Sequence, residues 1–217
     1  MKTLQNQILN EATLSDMYVK AVNTMTAEDI INLVSEVNYL RKQMKTQLEV
    51  ISRLKQEAME DPLTGLPNRR FFERELDRAL SAFRRYKRRG AVMLVDANSF
   101  KAINDTYGHM AGDAILRHIA QIVTANVRNT DIVTRIGGDE FCIILTDVSA
   151  DEAYIKADQL AELVATTPCE FDGQTIQASI SVGVASFADA GSKKELLELA
   201  DSAMYADKAA HKAAVGE

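Results

Sequence analysis

Between residues 27 and 60 apolar side chains recur three and four positions apart, at Ile30, Leu33, Val37, Leu40, Met44, Ile51, Leu54 and Ala58. The alternation persists for four heptads with one polar interruption at Gln47. One seam carries Ile30, Val37, Met44, Ile51 and Ala58; the other carries Leu33, Leu40, Gln47 and Leu54. Such a repeat predicts a long helix, and β-branched residues facing leucines favour a parallel two-stranded coiled coil. The plainer alternative is a single amphipathic helix lying on a neighbouring domain. Thr26, three residues ahead of Asp29, has the spacing of a capping box and sets the start near Ala27. A shifted seam through Val34, Val37, Met44, Leu48 and Ile51 is nearly as apolar, opposed by Arg41 and Lys55. Residues 1–26 read as mostly helical and are too few for a separate sensor domain.

The pattern changes at residues 61–68, DPLTGLPN, a turn-rich stretch that ends the stalk. It opens a globular domain over 61–217, about 155 residues, an ordinary domain size. Within it a helix is expected over 69–88, a strand over 91–95, then helical turns leading to a longer helix over 113–126. Strands at 132–136 and 140–145 flank Gly137-Gly138-Asp139, a hairpin signal. A helix over 150–165, strands near 170–171 and 174–184, and a last helix from 193 to about 210 complete the chain. A hairpin amid alternating helices and strands predicts an α+β fold. Its central sheet is mostly antiparallel and flanked by helices, not doubly wound.

Composition narrows the partners. Lys and Arg number 25 against 31 Asp and Glu, a net charge of −6, which argues against nucleic acid. The most basic run, RRYKRR at 84–89, falls at a helix end, where cations match the dipole. It reads as a solvated helix terminus, with a regulatory anion contact as the alternative. Cys142 and Cys169 are the only cysteines, too few for a disulfide framework or a four-cysteine zinc site. No apolar stretch reaches the ~20 residues of a membrane span. The opening MKTLQNQILNEA lacks the basic-then-apolar order of a secretory leader. The expectation is a soluble, cytoplasmic protein.

Chemistry gathers at two places. Residues 92–95, VMLV, deliver Asp96 to the end of a buried strand, where a carboxylate needs a cation or a metal. Asp139 and Glu140 stand on a glycine turn that lets backbone approach a ligand. If the two strands pair, Asp96 and Asp139 face one cavity suited to Mg²⁺ or Mn²⁺ completed by substrate phosphates. A solvated polar hairpin fits these residues equally well. The stretch FKAINDTYGHMAGD at 100–113 weighs toward a ligand. Lys101 suits phosphate as a point charge. Asn104 and Asp113 suit a purine edge, because a carboxylate accepts from N1–H and the 2-amino group of guanine. Adenine offers neither donor, so such a site discriminates. The P-loop pattern GxxxxGK[ST] does not occur. His109 taken alone is more often a structural histidine.

Together GGDEF at 137–141, Asp96, FKAINDTYGHMAGD, DPLTGLPNRR at 61–70 and Lys208 resemble the signature of bacterial diguanylate cyclases over residues 61–217. The resemblance implies condensation of two GTP into cyclic di-(3′→5′)-GMP and two pyrophosphates. It implies a homodimer in which each subunit supplies one half-site, brought together by the coiled coil. Asp96, the carbonyl of Ala97, Asp139 and Glu140 would hold two Mg²⁺ or Mn²⁺ per half-site. Asp139, with Glu140 beside it, would assist proton removal. Asn104 and Asp113 would read guanine beside His109. Gly137 and Gly138 would admit the nucleotide, and Lys101, Lys208 and the backbone at Ser99 and Phe100 would hold phosphates. Arg128 and Asp131 match the family's RxxD product-binding site and imply feedback inhibition; a helix-ending Arg paired with a strand-starting Asp is the ordinary alternative.

Three departures stand out. Asn98 replaces a usual second acid, which implies a supporting role and weaker metal affinity. His211-Lys212 replaces a Gly-Arg pair, and Lys212 keeps the charge without Arg's bidentate contact. The tail ends at Glu217, so the family's final strand is expected to be short. Two rival classes are a silent receptor for the cyclic dinucleotide and a dimerisation module acting through a partner protein. The acids at 96, 139 and 140 count against the first.

Overall fold

The structure, a computed structural model, describes residues 26–57 and 59–215. These fall into two compact units that divide between residues 56 and 57. Helix α1, Ala27–Glu57, belongs to the first up to its last residue. Its start is closed reciprocally. Asp29 Oδ2 accepts from the Thr26 backbone N–H at 2.8 Å and from its hydroxyl at 2.7 Å, while Thr26 Oγ1 accepts from Asp29 N–H at 3.2 Å. These bonds satisfy donors that a helix start leaves open, and they hold the Asp29 carboxyl below the usual carboxylate range. Ile30, Leu33, Val37, Leu40 and Met44 are all exposed on α1. The expectations for residues 1–25 and for Ala58 lie outside the described residues.

The second unit is α2 Arg69–Tyr86, β1 Gly90–Ala97, α3 Phe100–Tyr107, α4 His109–Ala125, β2 Ile132–Arg135, β3 Glu140–Thr146, α5 Ala150–Thr166, β4 Cys169–Phe171, β5 Gln174–Ile176, β6 Ile180–Ser186 and α6 Lys193–Val215. The main sheet runs β2-β3-β1-β6, and every neighbouring pair is antiparallel. β1 sits inside it and is buried on both faces, hence its unbroken apolar run. One face, with Met93, Val95, Phe141 and Ile143, packs with Ile115, Ile119, Leu160 and Val164 of α4 and α5. The other, with Val92, Cys142 and Ile144, packs with Phe72, Leu76, Leu196 and Ala200 of α2 and α6. On β6, a Cβ built at Gly183 would lie 2.0 Å from the Ala200 carbonyl oxygen, so α6 lies on the sheet at glycine-only distance.

This is the expected α+β arrangement, with local differences. The helix expected over 113–126 begins at His109, and the turns before it form α3. The stretch 174–184 is two strands. β5 closes a separate hairpin with β4, and β6 joins the main sheet. Residues 177–179 between them carry no Gly or Pro, so the alternation gave no sign of the break. α2 stops at Tyr86, where Lys87 at φ 56° gives its N–H to the Phe83 carbonyl at 2.8 Å. α6 continues to Val215, and among the described residues no strand follows it. Among those residues, no helix is long and apolar enough to cross a membrane.

Candidate active site

β1 carries Asp96 close to its C-terminal end and leaves it 7% exposed. The register sets Asp96 directly opposite Glu140 on β3, so the two carboxylates share one face. Like charges opposite one another destabilise a sheet. Lys208 of α6 supplies the counter-charge, its Nζ 2.5 Å from Asp96 Oδ1. Asp139 joins through the backbone, its carbonyl accepting the Ala97 N–H at 3.1 Å. Asp96, Ala97, Asp139, Glu140 and Lys208 therefore meet at one strand end.

Arg135, the last residue of β2, holds the glycine turn in place. Its guanidinium donates to the Gly138 carbonyl at 2.6 and 3.1 Å and to both oxygens of Asp61 at 2.9 and 3.0 Å. Asp61 also accepts from the backbone and hydroxyl of Thr64 at 2.9 and 2.7 Å. Burial opposes its ionisation, but Thr64 and Arg135 outweigh that and hold the carboxyl below the usual range. Nearby, Asn68 caps α2 by accepting from Arg70 and Phe71 N–H at 3.0 and 3.4 Å. An open cleft of about 860 Å³ runs along Asp61, Asn68, Arg69, Arg135, Gly137 and Gly138.

The stretch after β1 turns sharply. Ser99 is left-handed at φ 49° and precedes α3. A non-glycine residue held there stores strain of about 1–3 kcal/mol, which collects at functional sites. The turn presents the first N–H groups of α3, at Phe100 and Lys101, as a helix N-terminus of the kind that takes phosphate. Gly108 separates α3 from α4. The helices meet so closely that a Cβ at Gly112 would fall 2.0 Å from Asn104 Oδ1. Asn104 therefore lies against the backbone of α4 at Gly112, the residue before half-buried Asp113. Lys101, His109 and Lys212 are exposed, and no described contact ties them to the Asp96 cluster.

Two features were not anticipated. Arg135 and Asp61 form a clamp across 74 residues. Asn98 is buried at 5% exposure and joins Ser179, Ser181 and His211 in one hydrogen-bonded chain. Arg135 abuts the glycine turn, a usable clue; the serines offered none.

The oxygen donors at the strand end suit a hard divalent ion, and Asp96 already pairs with a cation. Among the described residues, no group of three or more His, Cys, Asp or Glu converges ready-made on a metal position. The fit therefore rests on Asp96, Asp139, Glu140 and the Ala97 carbonyl together with oxygens from a substrate.

Arg128 and Asp131 lie between α4 and β2, beside a cleft of about 350 Å³ that Thr146, Glu152 and Lys156 also line. Asp131 accepts from Arg128 N–H at 3.0 Å and Thr146 N–H at 3.1 Å, so its carboxylate shapes the loop. Arg128 lies beyond the end of α4 and is exposed. At α2, Arg84 and Arg85 occupy the last turn, as dipole matching expects.

Residues 58–214 match the family described as diguanylate cyclase, GGDEF domain. The chain is 39% identical over 158 residues to diguanylate cyclase TpbB of Pseudomonas aeruginosa, covering 71% of this chain and 36% of that protein. It is 37% identical over 180 residues to diguanylate cyclase DosC of Escherichia coli, covering 82% of this chain and 38% of that one. It thus spans little more than a third of the length of these relatives. Among solved structures, the coiled coil and GGDEF domain of DgcB from Caulobacter crescentus, in complex with c-di-GMP, aligns with a TM-score of 0.75 at 25% identity. That alignment covers 82% of this chain and 95% of the other.

Proposed function

The chain belongs to the diguanylate cyclase family of GGDEF domains, and on that premise we propose that it condenses two GTP into cyclic di-(3′→5′)-GMP. The 3′-oxygen of each GTP bonds to the α-phosphorus of the other, the α–β phosphoanhydride bond breaks, and pyrophosphate departs. Each attacking hydroxyl releases one proton. The observation that carries this reading is the meeting of Asp96, Asp139, Glu140 and Lys208 at one strand end.

Asp139 accepts the proton, with Glu140 beside it. Asn104 and Asp113 orient guanine by its edge, with His109 next to the nucleotide. Lys101, Lys208, Lys212 and the backbone at Ser99 and Phe100 hold the β- and γ-phosphates, and Gly137 and Gly138 leave room for them. Asp96, the Ala97 carbonyl, Asp139 and Glu140 would hold two Mg²⁺ or Mn²⁺ per half-site. When bound, these ions neutralise phosphate charge and make the 3′-hydroxyl more acidic.

One catalytic unit offers one half-site, so two copies must meet across a two-fold axis. Pairing of α1 as a parallel coiled coil raises their effective concentration. Residues 27–60 act as this dimerising stalk and 61–217 as the cyclase domain. The product binds back at Arg128 and Asp131 and restrains the enzyme.

Incubation with GTP and Mg²⁺ followed by chromatography tests the reading. The wild type is expected to yield the cyclic dinucleotide, and Asp139→Ala at least about a hundredfold less. No product from the wild type, or equal product from the variant, overturns it. In the same assay Arg128→Ala is expected to lose inhibition by added product; retained inhibition removes the feedback site.

A further inference from the structure

The end of β1 is tied to α6 at two points. The first is the Asp96–Lys208 ion pair. The second begins two residues later, where buried Asn98 accepts from the Ser181 hydroxyl at 2.9 Å and donates through Nδ2 to Ser179 Oγ at 3.3 Å. Ser179 Oγ in turn lies 3.2 Å from His211 Nε2. Asn98 lies one residue beyond the end of β1, and 208 and 211 lie on one face of a helix. The two ties join the end of β1 and the turn after it to the same helix, the second through Ser179.

The second tie has a direction. A carboxamide has a fixed accepting end and a fixed donating end, and a hydroxyl has one proton. Ser181 gives its proton to Asn98 Oδ1, and Asn98 gives one of its own to Ser179 Oγ. Ser179 keeps its own proton, and where it offers that proton to His211 Nε2 the ring accepts it with a lone pair. In that order, Ser181, Asn98, Ser179, His211, the ring carries its proton on Nδ1. A carboxylate at position 98 would reverse this, because both its oxygens accept. Ser179 would then turn its proton toward residue 98 and present a lone pair to His211, which would need its proton on Nε2. The amide at 98 and the imidazole at 211 fit each other by hydrogen-bond direction.

We propose that Asn98 and His211 are a matched pair of positioning residues, joined through Ser179, that fix α6 against the end of β1 and so set Lys208 and Lys212 for the triphosphate. Neither touches the reacting atoms. The kinetic part of the inference rests on the cyclase reading; the direction of the hydrogen bonds does not.

The test uses the full chain. Nitrogen NMR of His211 at about pH 8, above the ordinary imidazole range, is expected to show the proton on Nδ1. Asn98→Asp is expected to move it to Nε2. A wild-type proton on Nε2, or the same tautomer in both proteins, overturns the proposal whether or not the chain turns over GTP. In kinetics, His211→Leu is expected to raise KM for GTP about fivefold with kcat within about twofold. His211→Gln, whose side-chain oxygen also accepts from Ser179, is expected to restore most of the loss. An unchanged KM in the Leu variant, a loss confined to kcat, or no rescue by Gln also overturns it. A wild type without product removes the cyclase reading and leaves the tautomer result to decide the pairing.

Discussion

Gly112 gives Asn104 the space it occupies. Any side chain there would collide with the amide oxygen, at 2.0 Å from a Cβ, and approach Phe100 at 3.2 Å. Gly112→Ala must therefore displace the Asn104 side chain while leaving α4 intact, since alanine is the better helix former by about 1 kcal/mol. KM for GTP is expected to rise about tenfold with little change in melting temperature. A fall in melting temperature that accounts for the lost activity would count against a base-reading role. The acids of the site were legible because each closes an apolar run or sits on a glycine turn. Asn98 was legible only as a departure from a pattern. Its partners Ser179 and Ser181 are 81 and 83 residues away, and no local period links them to it.

The hairpin between β2 and β3 depends on the turn at Asp61 through Arg135. Asp61→Asn removes the charge from a bidentate pair whose side chains are only 12% and 17% exposed. A loss of about 2 kcal/mol at neutral pH is expected. The folded carboxyl titrates below its unfolded value. Its contribution is therefore whole above about pH 4 and disappears as pH falls through the lower, folded value. Denaturant unfolding at pH 7 and near pH 3 should show a wide gap between wild type and variant at the first and a narrow one at the second. The main elements were readable from periodicity, and the mid-chain hairpin alone directed the fold class toward α+β. What escaped was where one element gives way to another without a breaker. β5 and β6 are divided by Gln177, Ala178 and Ser179, ordinary residues whose strand is cut by a change of sheet.

For the protein as an assembly, α1 carries the testable burden. Val37 and Leu40 are exposed apolar positions of opposite seams. Placing Asp at both puts like charges into any paired seam, while the catalytic unit keeps its own core. Sedimentation is expected to shift from dimer toward monomer. At dilute protein the turnover per subunit should fall about a hundredfold and recover as concentration rises. Turnover that stays proportional to concentration in both proteins would remove the stalk from the mechanism.

The Asp96–Lys208 pair also bears on how the domain tolerates an empty site. A buried carboxylate left alone would make folding wait for an ion, as in small metal-dependent domains. Here a tethered ammonium, 2.5 Å away, fills that electrical role before any ion arrives. On the proposed metal reading, folding and loading would thereby be separate events. A chelator is expected to abolish turnover while leaving the thermal unfolding curve where it was, and calorimetry with and without EDTA measures both halves of that statement. On the proposed reading the lysine would occupy, in the empty domain, the electrical role that a metal would take with the nucleotide.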